Sequence, residues 1–76
     1  MKIEVIGPGC SKCKELVKRT EQALSALGKK EEVEKVSDMD KIIESGVAMT
    51  PALRINGKIF FEGTIPEVKA IEKVLK

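Results

Sequence analysis

Histidine, tryptophan and tyrosine are absent from this 76-residue chain, and cysteine and phenylalanine occur twice each. Each shortage closes off a class of function. Zinc takes four protein ligands, or three and a water, so two cysteines without histidine leave a single copy of the chain short of a zinc site. With Phe60 and Phe61 as the only aromatics, no stacking platform for single-stranded nucleic acid is available. Lysine and arginine number 14 against 12 acidic residues, a formal charge of +2, and the two signs are interspersed. Neither a basic block for nucleic acid nor a polybasic segment for a membrane surface is present. No apolar run approaches transmembrane length. The opening Met-Lys-Ile-Glu-Val-Ile-Gly enters a strand pattern without the longer apolar stretch of a secretory signal. These features predict one small soluble domain over residues 1–76, cytoplasmic, with a modest core and neither nucleic-acid nor membrane partners.

What the chain does have is Cys10-Ser11-Lys12-Cys13, which contains both of its cysteines. A disulfide closing so short a loop removes little entropy from the unfolded chain, so it is a poor staple for the fold. In a reducing compartment a lone CxxC near a βαβ pattern points to redox exchange or metal binding. Placed on the first turn of a helix, the two sulfurs lie on one face within bridging distance. The unpaired N–H groups and aligned peptide dipoles there favour the thiolate of the outer one, taking Cys10 below the free-thiol pKa of about 8.5.

The surrounding pattern places the motif. Lys2 to Ile6 reads as a short buried strand broken by Gly7-Pro8-Gly9. From Cys10 onward Cys13, Leu16, Val17, Thr20, Leu24 and Leu27 recur at helical spacing, with Gly28 as the stop. Glu15 and Arg19 are spaced to pair weakly on the solvated side. Glu32 to Val36 offers a second strand. Ser37 to Asp40 has capping-box spacing before a short helix around Ile42 and Ile43 that ends near Gly46. Ala52–Ile55 and Lys58–Glu62 form a hairpin about Asn56-Gly57. Phe60 and Phe61, consecutive in its second strand, are expected on opposite faces, one in the core and the other beneath the C-terminal or middle helix. Thr64 to Glu67 is a second capping box, with Pro66 in the first turn of a final helix whose buried stripe is Ile65, Val68, Ile71, Val74 and Leu75. The order is βαβαββα. A right-handed crossover makes the first two strands parallel and the hairpin adds two antiparallel ones, giving an α/β fold with a four-stranded mixed sheet and helices on both faces.

A CxxC at the first strand-to-helix junction, Thr50-Pro51 before the third strand, and a hairpin followed by Gly63 and a last helix together resemble the thioredoxin-like superfamily. The resemblance is closest to its small glutaredoxin-like, redox-active disulfide proteins of bacteria and archaea, and Gly7-Pro8-Gly9-Cys10-Ser11-Lys12-Cys13 looks like their motif. It implies a dithiol–disulfide oxidoreductase or electron carrier without a separate cofactor, whose redox group is a Cys10–Cys13 disulfide. Cys10 matches the exposed nucleophile, Cys13 the buried resolving thiol, Pro51 the cis-proline facing the disulfide, and Thr50 the residue whose backbone pairs with an incoming peptide. The implied partners are protein disulfides and a thiol or reductase donor, and the implied state is a monomer. No Trp precedes Cys10, neither Tyr nor Pro lies between the cysteines, and Glu62-Gly63-Thr64 departs from the segment with which glutaredoxins hold glutathione.

Pro8 and Gly9 read equally as a strand-ending turn or as a place where a partner backbone comes close. Ser11 and Lys12, between the cysteines, are the remaining supporting candidates, and Lys12 suits a solvated helix face as well as a place beside the sulfur. Met49 reads as packing. Two other classes compete. One is a thiolate site for metal or cluster, shared between two chains or holding copper(I) on two sulfurs. The other is a non-catalytic binding module on the same scaffold.

Overall fold

The computed structural model describes residues 1–9 and 11–76. Among these the elements run β1 (Ile3–Ile6), α1 (Ser11–Ala26), β2 (Val33–Val36), α2 (Met39–Glu44), β3 (Ala52–Ile55), β4 (Lys58–Glu62) and α3 (Val68–Leu75). The four-stranded sheet has the order β2-β1-β3-β4. Strand β1 is parallel to β2 and antiparallel to β3, which is antiparallel to β4. The fold is the mixed α/β sheet read from the sequence. No helix described is long and apolar enough to cross a membrane.

Strand β1 lies inside the sheet and all four of its residues are buried. Because successive side chains alternate between faces, Ile3 and Val5 pack with Leu16, Leu24, Ile71 and Leu75 beneath α1 and α3. Ile6 turns to the other face, where it meets Ile42 of α2 and Ala52. Helices therefore cover both faces, the first more fully than the second. Each such side chain stabilises the fold by roughly 1.5–3 kcal/mol, and a chain this short has few of them.

Helix α1 buries Cys13, Leu16, Val17, Thr20, Ala23 and Leu24 along one stripe. Thr20 is accommodated there because its hydroxyl donates to the Leu16 carbonyl at 2.8 Å. The helix ends in a Schellman pattern: Lys29 N–H donates to Leu24 O at 2.9 Å and Gly28 N–H to Ser25 O at 3.1 Å. That geometry needs the left-handed backbone glycine accepts without strain, and Gly28 has φ of +69°.

Both expected capping boxes give way to other arrangements. Asp38, not Ser37, caps α2, its carboxylate accepting from Asp40 N–H at 2.9 Å. Helix α3 starts only at Val68, with Glu67 as its N-cap and no side-chain cap bond. The reason lies in Arg19, whose Nη1 donates to the carbonyls of Ile65 at 3.2 Å and Pro66 at 3.1 Å, drawing that segment onto α1 ahead of the helix. Its Nε is oriented by Glu15 at 3.0 Å. The Glu15–Arg19 pair is thus a half-buried clamp between helices, not a solvated decoration. At the other end of α3, Lys29 Nζ donates to the Leu75 carbonyl at 2.7 Å.

The two phenylalanines also differ from expectation. The register of β3 and β4 pairs Leu53 with Phe61 and Arg54 with Ile59, skipping Phe60. This bulge lets Phe61 join the α1/α3 side while Ile59 joins the α2 side. Phe60 is left 38% exposed and outside both core clusters, with Lys58 Nζ 5.3 Å from its ring centroid.

A carboxylate sits in the middle of β1. Glu4 is 5% exposed and faces the α2 side with its cross-strand neighbour Arg54. The pairing is bidentate, Nε to Oε1 and Nη2 to Oε2, both at 2.9 Å. These hydrogen bonds hold the Glu4 carboxyl below its ordinary pKa, outweighing the burial that pushes it up. A depressed folded-state pKa contributes stability that is fully present above the unfolded value and lost as pH falls through the folded one. Glu4→Gln is therefore expected to destabilise the protein by about 1.5–3 kcal/mol at neutral pH. In urea titrations the gap from the wild type should narrow steadily in acid, below the ordinary carboxylate range.

Candidate functional site

The antiparallel register of β1 and β3 sets Ile6 opposite Ala52. The next residue outward on each strand is Gly7 on one side and Pro51 on the other. Gly7 extends the ladder to β2, its N–H donating to Val36 O at 2.9 Å. The chain then turns through Pro8 and Gly9, where Gly9 takes φ of +88°, and α1 begins at Ser11.

One helical turn carries Cys13 back over the end of β1. Its side chain is 4% exposed and packs against Gly7. The approach is so close that a Cβ on Gly7 would run into Cys13 Sγ, and the same Cβ would lie 3.7 Å from Pro51 Cα. Gly7 thus separates the thiol from the proline, and only a residue without a side chain fits between them. The Thr50–Pro51 bond is cis. Pro51 is fully buried, whereas Thr50 beside it is exposed. Cys13 and Gly9 also line a small cleft of about 140 Å³ that reaches Val5, Val17, Lys14 and Lys35.

The residues singled out from sequence therefore divide. Cys13 and Pro51 converge on Gly7, and Gly9 lies beside Cys13. Thr50, Pro8, Ser11 and Lys12 are exposed around this end of the sheet. Cys10 lies outside the described residues, and with it the expected Cys10–Cys13 bridge. Among the described residues no three or more His, Cys, Asp or Glu side chains gather as a metal site. Gly7 itself reads from sequence only as part of a turn. Its contact with the thiol depends on a strand pairing that no local spacing reveals.

Residues 1–76, the whole chain, match the family model of the thioredoxin domain. The chain belongs to the thioredoxin family. It is 36% identical over 75 residues to a thioredoxin of Methanothermobacter thermautotrophicus, covering 99% of this chain and 97% of that protein. It is 38% identical over 74 residues to a thioredoxin of Methanocaldococcus jannaschii, covering 97% and 85%. A probable thioredoxin of Methanothermobacter marburgensis is 36% identical over 67 residues, covering 83% and 79%. Membership supports a thiol–disulfide oxidoreductase role in general terms. Proteins of the family carry no separate cofactor, their redox-active disulfide being part of the chain itself.

Filling the space at Gly7 tests the packing of this junction. Gly7→Ala is expected to destabilise the protein by roughly 1–3 kcal/mol, the usual cost of forcing an extra carbon into a packed interior. Chemical denaturation measures it. Adding Cys13→Ala, which removes the clashing sulfur, should recover much of the loss, and no recovery would locate the cost elsewhere.

Proposed function

We propose that this chain is a small dithiol–disulfide oxidoreductase acting through Cys10 and Cys13. The observation that carries the reading is the junction at Gly7, where a buried thiol in the first turn of a helix and a buried proline meet across one glycine. The flanks are small or exposed, so a partner chain can approach.

The exchange runs in two displacements. The Cys10 thiolate attacks one sulfur of a protein disulfide, that S–S bond breaks, and the leaving sulfur departs as a thiolate that takes up a proton. The mixed disulfide so formed is then attacked by Cys13 as its thiolate. A Cys10–Cys13 disulfide remains and the substrate leaves as a dithiol. Two electrons have passed from the chain to the substrate, and a thiol or reductase donor returns them. The burial of Cys13 supports its resolving role, because a shielded sulfur is not the first one a substrate disulfide meets. Thr50 offers exposed backbone beside the buried Pro51, suited to pairing with an extended substrate strand. Gly9, without a side chain, lets a partner backbone come close beside Pro8, and Ser11 and Lys12 are exposed next to it. The acting unit is a single chain of one domain, working in a reducing cytoplasm.

Cys13→Ser separates the two displacements. With an oxidised protein substrate, this variant should lose turnover and accumulate a mixed disulfide through Cys10, identified by mass spectrometry of the linked peptides. Capture at Cys13 in the Cys10→Ser variant, with none at Cys10 in the other, would reverse the roles.

A further inference from the structure

The segment between α2 and β3 delivers Thr50 and Pro51, yet Ala48, Met49 and Thr50 are all exposed. Burial holds the segment at Val47 and Pro51, and the stretch between them is anchored from the far end of β4. Glu62 pairs in register with Ala52, and its Oε2 accepts a hydrogen bond from Ala48 N–H at 2.9 Å. The next residue, Gly63, donates its N–H to Pro51 O at 2.9 Å. Met49 lies over Gly63 so closely that a Cβ there would sit 3.0 Å from Met49 Cβ and 3.3 Å from its Sδ. The backbone bond and the glycine contact secure residues 49 and 51. The carboxylate secures residue 48, where the segment enters, and a charged acceptor on a backbone amide is stronger than a neutral one.

We propose that Glu62 is a positioning residue for protein substrates: by holding the Ala48 amide, its carboxylate sets the backbone of Thr50 where an extended substrate strand can pair with it. The inference rests on the reading of Thr50 as the docking residue. It sorts substrates by chemistry. A protein disulfide that aligns its strand along Thr50 depends on Glu62, whereas a small disulfide that meets only the thiols does not.

The test compares insulin disulfides with the small disulfide dithiobis-nitrobenzoate in the full chain. Glu62→Ala should raise KM for insulin about fivefold, the scale of one lost hydrogen bond, with kcat for insulin and turnover of the small disulfide unchanged. Glu62→Gln keeps a carbonyl oxygen at the same reach and should restore most of the loss. An unchanged KM for insulin in Glu62→Ala overturns the proposal, as does equal damage to both substrates that glutamine does not relieve. Amide hydrogen exchange gives a readout independent of turnover. Exchange at Ala48 should speed up in Glu62→Ala, and unchanged exchange overturns the positioning role even if activity falls. Wild-type protein that reduces neither disulfide instead overturns the exchange reading, and the docking part of the proposal with it.

Discussion

The antiparallel pairing of β1 with β3 is the constraint from which the functional end of the molecule is built. It joins residues 3–6 to residues 52–55, placing Ile6 opposite Ala52. Gly7 and Pro51 therefore meet at the rim of the sheet, and α1, starting four residues after Gly7, returns Cys13 to the same point. A slip of this register by one residue would turn every side chain of β1 to the opposite face. Ile3 and Val5 would leave the α1/α3 core, and Glu4 would enter it.

Polar links do much of the positioning in a molecule with so small a core. Glu4 and Arg54 occupy neighbouring strands on the face that the short α2 covers least, beside a polar groove of about 570 Å³. Both carboxylate oxygens are engaged by the guanidinium, which is what makes a charge tolerable in the middle of a buried strand. Arg19 of α1 holds the approach to α3, and Lys29, just past the end of α1, holds its last turn, so α3 is fastened at both ends as well as through Ile71 and Leu75. On the hairpin, the bulge at Phe60 allows Ile59 and Phe61 to serve opposite faces, which regular alternation would forbid.

The thioredoxin scaffold places a shielded thiol and an exposed backbone segment side by side. Their supports are of different kinds. Cys13 is held by close packing against a residue with no side chain, a contact that admits little adjustment. The segment through Thr50 is held by hydrogen bonds and one glycine contact at the surface, where small shifts cost little.

Local pattern was enough for the order of the elements, the hairpin at Asn56-Gly57, where both residues take positive φ, and the end of α1 at Gly28. Such features depend on neighbours within a few residues, and side-chain period or backbone freedom encodes them directly. It also singled out Cys13 and Pro51, which the fold brings together at Gly7. It misplaced the starts of α2 and α3 because a capping box is only one claimant for a helix end. Asp38 competes with Ser37 one residue away, and Arg19 competes from another helix across 46 residues of sequence. What sequence alone determined is the sheet, its covering helices and the family to which they belong. What only tertiary structure decided is who meets whom across that sheet: Gly7 with Cys13 and Pro51, Glu4 with Arg54, Glu62 with Ala48. Those contacts join residues far apart in the chain, and they exist only once strand register has brought their backbones together.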